Sequence, residues 1–185
     1  MSLLEVYVED SRWSRIPKLR ARLEKAAAVT LAHVPKTLRF PSTATLMLTN
    51  DAAVRKLNRD FRGIDKSTNV LSFPQFDPSE LTKKGKKPGR VPLGDIVIAY
   101  QYVVVEAKKD HKILINHVTH LLIHGLLHLF GYDHMAEGEA LRMERLEQKI
   151  MATLGLPDPY SEFQPIRSKK GSPKRNRAQK RLIKP

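Results

Sequence analysis

From Leu114 to Phe130 the chain reads LINHVTHLLIHGLLHLF, an apolar run of helical length holding four histidines and no other ionisable residue. A segment this apolar is expected as a core helix around which the rest of the fold must be arranged. Ionisable rings at fixed spacing in such a helix leave three readings: a metal site, a catalytic base, or core histidines satisfied by neighbours. His124 and His128 are four apart, so on a helix they share a face one turn from each other. Both rings can then reach one tetrahedral ion. His120 lies a further turn back. Eight residues at a rise of about 1.5 Å separate it from His128 by roughly 12 Å, a poor fit around one small ion. His120 and His117 are therefore read as pocket lining or as support behind the ligands.

Gly131 supplies the missing geometry. A glycine there can take the left-handed conformation that ends a helix and swings the chain back, bringing His134 over the face of His124 and His128. Asp133 either orients a ligand or caps that turn. The pattern H-x-x-x-H-x-x-G-x-x-H has the spacing of metzincin peptidases, with Gly125 where those enzymes carry a glutamate. That glutamate takes the proton from the water on the metal, which Gly125 cannot do. Three histidines leave a fourth coordination position open, so the expectation is a hydrolytic metal centre lacking the peptidase base. The chain has no cysteine, which excludes thiolate ligands and disulfides.

Of the formal net charge of +14, residues 161–185 supply +8 and the segment KKGKKPGR at 83–90 supplies +5, leaving +1 for the remainder. A near-neutral globule thus carries two basic appendages able to neutralise phosphates. The N-terminal MSLLEVYVEDSRW has early acidic residues and no apolar signal core. No run approaches the roughly 18 apolar residues of a membrane span, so a cytoplasmic protein with no membrane partner is expected.

Strands are expected at 4–9, 44–49, 69–73 and 93–99. Helices are expected from Ile16, with Pro17 in its first turn, to His33; after Asn50 or Asp51; over 100–109; over 114–130; and over about 136–154, ending at Gly155. Helices and strands mixed without strict alternation indicate an α+β layer around one mixed sheet of about four strands.

Three segments carry a family resemblance: HGLLHLFGYDH at 124–134, NRDFRGIDKSTNVLSFP at 58–74 and LGDIVIA at 93–99. The chain resembles the YbeY family of bacterial rRNA-maturation endoribonucleases from roughly Leu4 to Tyr160. Ser67 departs from the proline often found there, and the basic segment 83–90 and the tail after 165 fall outside the family core. The resemblance implies a zincin-like single domain over residues 1–160, its metal site at the end of the central histidine helix; the basic tail at 161–185 is expected to be disordered from its charge and its lack of apolar period. It implies one zinc ion held by His124, His128 and His134, with Arg62 and His124 as catalytic residues. The implied substrate is single-stranded RNA, and the implied role is maturation of the small-subunit rRNA 3′ end and ribosome quality control, with the small ribosomal subunit as partner.

Arg62 suits that role, because a guanidinium can clamp two oxygens of a phosphodiester gaining negative charge; the alternative is a surface arginine paired with Asp60 or Asp65. His120 is a further candidate for stabilising charge. Asn69 and Ser72 are read as structural. The attacking group is either water or the RNA's own 2′-hydroxyl, and the general base and oligomeric state are left open. Aromatic residues make up only 6%, so an extensive base-stacking platform is not expected, and binding should weaken steeply with salt. Two other classes stay in view: a metallopeptidase-like hydrolase, and a non-catalytic ribosome-assembly factor whose structural zinc has a carboxylate as fourth ligand.

Overall fold

In the computed structural model, which describes residues 3–77, 89–132 and 137–161, the alternation LEVYV forms strand β1 (Leu4–Val8). A 3-10 turn over Ser11–Arg15 buries Trp13 completely, and its indole Nε1 donates to the Thr49 carbonyl at 2.9 Å. Helix α1 (Leu19–His33) follows. It starts three residues later than the apolar period suggests. Ile16 packs on the core from the preceding turn and so mimics a helical position, while Lys18 takes a positive φ of 57° at the true start. Strand β2 (Ser42–Thr49) leads into α2 (Asp51–Arg62), whose N-cap Asn50 accepts from the Ala53 amide at 3.1 Å. That bond satisfies one of the orphan donors of the first turn.

Strand β3 (Val70–Pro74) and strand β4 (Val91–Ala99) flank residues 78–88, which lie outside the described residues together with most of the basic segment 83–90. Helices α3 (Tyr100–Lys109), α4 (Leu114–Leu129) and α5 (Glu137–Thr153) complete the order. The expected tail lies outside the described residues from 162 onward.

The four described strands form one mixed sheet in the order β1-β2-β4-β3. β1 pairs parallel with β2, β2 parallel with β4, and β3 antiparallel with β4, with Val70 opposite Ile98 and Phe73 opposite Asp95. The antiparallel β3 therefore stands at an edge. On one face, Leu46, Leu48, Leu93, Ile96 and Ile98 join a large core with α1, α4 and α5. On the other, Leu71, Val97 and Ala99 pack with Val54 of α2. A sheet covered on both sides explains why β4 reads as a near-continuous apolar run.

Helix α4 is the central element. Val118, Leu122, Ile123, Leu126, Leu127 and Leu129 are all fully buried, so its few polar side chains must find partners within the protein. It packs against β3, β4, α1, α3 and α5. Among the described residues, no helix is long and apolar enough to cross a membrane.

Candidate metal centre

His124 and His128 lie one turn apart on α4 with ring centroids 4.6 Å apart, and their Nε2 atoms approach to 3.1 Å. The opposite nitrogens fix what that approach means. His124 Nδ1 lies 2.8 Å from Glu147 Oε1, and His128 Nδ1 lies 3.0 Å from the Tyr132 carbonyl oxygen. Both oxygens are acceptors, so each Nδ1 carries the proton and each Nε2 of the neutral rings turns a lone pair toward the other. Two ring nitrogens this close can share either a proton or a metal cation. The separation is close to the edge of a tetrahedral zinc site, about 3.3 Å for Zn–N bonds of roughly 2.0–2.1 Å. The donor set therefore fits a zinc-type ion.

The helix ends as the sequence requires. Gly131 has φ 84°, its amide donates to the His128 carbonyl at 2.9 Å, and the Tyr132 amide donates to the Leu127 carbonyl at 3.0 Å. This is a Schellman closure, which reverses the chain. The same turn presents the Tyr132 carbonyl to His128, so helix ending and ligand orientation are one device. The third expected ligand, His134, and its neighbour Asp133 lie outside the described residues. Among the described residues, no third His, Asp or Glu joins the pair in a metal-binding group.

Sequence reasoning missed Glu147. It is 0% exposed and accepts from three side chains: His124 Nδ1 at 2.8 Å, His120 Nε2 at 2.9 Å and the Tyr160 hydroxyl. Burial pushes its carboxyl up, but the hydrogen bonds from His120, His124 and Tyr160 outweigh this and hold it at about 2. Burial and the neighbouring carboxylate together raise the Tyr160 phenol well above its ordinary value, so it keeps its proton and donates. A carboxylate on the inner nitrogen of a ligating histidine fixes its tautomer and raises its basicity. The missed signal was a glutamate on the apolar stripe of α5, in line with the buried Met143, Ile150 and Met151.

His120 and His117 do not reach the convergence point of the two Nε2 atoms. His120 spends its Nε2 on Glu147 and packs edge-on against Tyr160. His117 spends its Nε2 on Glu106 of α3 at 2.8 Å. The His117 bond is the main cause holding the Glu106 carboxyl below its usual range; burial opposes it and the Asn69 amide assists. Asn69 donates to Glu106 at 3.0 Å and accepts from the Val70 amide at 2.7 Å, so its side chain ties the start of β3 to α3.

Arg62 ends α2 and is exposed. Neither acid expected as its surface partner holds it: Asp65 is bound by Arg55 at 2.7 and 2.8 Å, and Asp60 by Arg59 at 3.0 Å. Arg62 Nη2 instead donates to the Ser72 carbonyl of edge strand β3 at 3.3 Å. The Ser72 hydroxyl lies on the α4 side, where a Cβ added to Gly125 would sit 3.0 Å from it and 3.0 Å from Ile96 Cγ2. Gly125 therefore lets α4 sit close to the sheet. A side chain at this position would crowd the Ser72 hydroxyl and the Ile96 side chain, so packing as well as chemistry disfavours the peptidase base there.

The family model described as Endoribonuclease YbeY matches residues 8–155. The chain is 43% identical over 162 residues to the Endoribonuclease YbeY of Bradyrhizobium diazoefficiens, covering 88% of this chain and 87% of that protein. It is 44% identical over 167 residues to that of Allorhizobium ampelinum, covering 88% and 97%. The solution structure of TM1509 from Thermotoga maritima has a similar fold, with a TM-score of 0.51, 19% identity, and coverage of 85% of this chain and 99% of that one.

Proposed function

The chain belongs to the YbeY family, and from that premise we propose that it is a metal-dependent endoribonuclease cutting single-stranded RNA in rRNA processing. The proposed ligands are His124, His128 and His134 around one zinc ion, and the proposed task is maturation of the small-subunit rRNA 3′ end in the cytoplasm. The observation that carries the reading is the convergence of the His124 and His128 Nε2 lone pairs at 3.1 Å, each fixed by an acceptor on the opposite nitrogen.

When bound, the metal supplies a Lewis acid that polarises water or a phosphoryl oxygen. The protein's own groups do the rest. Glu147 holds the His124 ring in one tautomer and orientation, and the Tyr132 carbonyl does the same for His128. Arg62, poised at the rim of β3, offers a guanidinium to the phosphodiester as its charge grows. The basic segments 83–90 and 161–185 contribute sequence-independent phosphate contacts that raise encounter rates and weaken with salt.

Gly125 argues against the peptidase alternative, since it supplies no base and an added Cβ would crowd the Ser72 hydroxyl and the Ile96 side chain. The structural-zinc alternative requires a carboxylate on the Nε2 side of the rings, whereas Glu147 engages His124 from the Nδ1 side. The test pairs metal analysis with RNA cleavage for wild type, His124→Ala and Arg62→Ala. The expected pattern is loss of metal and cleavage in the first variant, and retained metal with cleavage at least about 100-fold slower in the second. Equal cleavage by all three would reject the assignment. Product ends decide the attacking group, because a 2′,3′-cyclic phosphate excludes direct attack by water.

A further inference from the structure

Phe61 is 69% exposed and immediately precedes Arg62 at the end of α2. Large aromatic rings are normally placed where they can be buried, so this exposure needs a reason. The ring is also not loose. It packs edge-on against Phe73 of β3, centroids 5.3 Å apart at 62°. Phe73 in turn rests on the small core of Val54, Leu71, Val97 and Ala99. The result is a braced ring with an open face, beside Ile64, itself 51% exposed.

Its surroundings carry more cations than acids, Asp65 and Asp60 being held by Arg55 and Arg59. Arg55, Lys56, Arg59, Arg62 and Lys66 are all exposed on α2 and the turn after it. The edge strand connects this patch to the metal centre. Arg62 bonds the Ser72 carbonyl, the Ser72 hydroxyl abuts Gly125, and Gly125 follows His124 in the chain. A polyanion laid across the rim of β3 toward the histidines passes the arginine and the ring together.

We propose that Phe61, braced by Phe73, is a stacking platform for one unpaired base of the RNA strand beside the scissile phosphate. This deepens the ribonuclease reading and rests on it. Every base offers a π face, so a single ring binds without reading sequence. A base inside an A-form duplex is already stacked on its neighbours, so the platform engages RNA only where a base can be splayed out. Selectivity for single strands then resides in Phe61, while the adjacent guanidinium holds the phosphate. One ring is also compatible with the low aromatic content, which argues only against an extended platform.

The test uses the full-length, metal-loaded protein and a short 2′-O-methyl RNA single strand, with a matched strand in which one nucleotide is abasic. Phe61→Ala and Phe61→Leu should each raise Kd for the intact strand by about five- to a hundredfold. Phe61→Trp should bind as tightly as wild type. Its emission should change on RNA addition, a clean signal because the chain's one native tryptophan, Trp13, is fully buried. The abasic strand should bind wild type and Phe61→Ala nearly alike.

Wild-type affinity in Phe61→Leu, or an equal loss on Phe61→Ala with both strands, would overturn the platform. The ring would then be a plain apolar contact, as for a protein partner. If wild type cuts RNA while the Phe61 variants bind normally, the platform fails and the ribonuclease assignment stands. A wild type that takes up metal and cuts no RNA removes the assignment itself.

Discussion

Helix α4 carries two part-buried histidine–glutamate pairs about two turns apart, and they use opposite ends of the imidazole. At His117 the carboxylate of Glu106 takes Nε2, the outer nitrogen, and leaves Nδ1 buried with no hydrogen-bond partner among the described residues. At His124 the carboxylate of Glu147 takes Nδ1, the inner nitrogen, and sends Nε2 out toward His128. The first arrangement fastens α4 to α3. The second produces a directed lone pair. The same two residue types on one helix thus yield a tie in one place and a ligand in another, and the choice of nitrogen makes the difference. His120 shows the same rule from the other side: bonded to Glu147 through Nε2, it supports the centre without joining it.

The sharpest way to break the comparison is through acid. Against the upward push of burial, the hydrogen bonds from His120, His124 and Tyr160 hold the Glu147 carboxyl down at about 2, below its ordinary 4.5. A depressed carboxyl contributes stability that is fully present above its unfolded value and lost as pH falls from 4.5 through 2. The size is on the order of a few kcal/mol at most. In Glu147→Gln this loss should be missing from stability measured by denaturant between pH 5 and 2. Glu106→Gln should keep it.

Metal affinity separates the pairs next. Glu147→Gln should weaken zinc binding about 10- to 100-fold in a chelator competition, the usual cost of removing a carboxylate behind a ligating histidine. Glu106→Gln should leave the zinc affinity unchanged and lower only stability. Equal zinc losses would mean that both carboxylates act through the fold, and the distinction drawn between the two pairs would be wrong.

Tyr160→Phe is the finest probe. It removes one of three donors to Glu147 and should cost about 1 kcal/mol of stability, with zinc affinity lowered only severalfold. A loss as large as that of Glu147→Gln would show that Tyr160, and not the carboxylate, sets the His124 ring.

Much of the centre was legible because its determinants are local. The spacing of His124 and His128, the apolar helix around them and the turn at Gly131 all lie within one short segment, where periodicity and backbone preference act directly. The supports were not legible, since they come from distant chain. Glu147 is 23 residues from His124 on a helix whose many charges hide the one that turns inward. Tyr160 served in the sequence only to mark where the family resemblance ended. The antiparallel placement of β3, which brings Arg62 to the sheet edge, depends on strand order, and no local pattern encodes that order. The role of Gly125 was half visible: its missing side chain was evident, but its contact with Ser72 and Ile96 required the packed sheet.

That contact bears on how such an enzyme can evolve. A glutamate at position 125 would offer the base that turns a zincin scaffold toward peptide bonds, but its Cβ would meet the Ser72 hydroxyl and Ile96 Cγ2 at 3.0 Å. Those two side chains would have to give way by a few tenths of an ångström to admit it. The two chemistries therefore differ by a catalytic group and by the fit of α4 against the sheet.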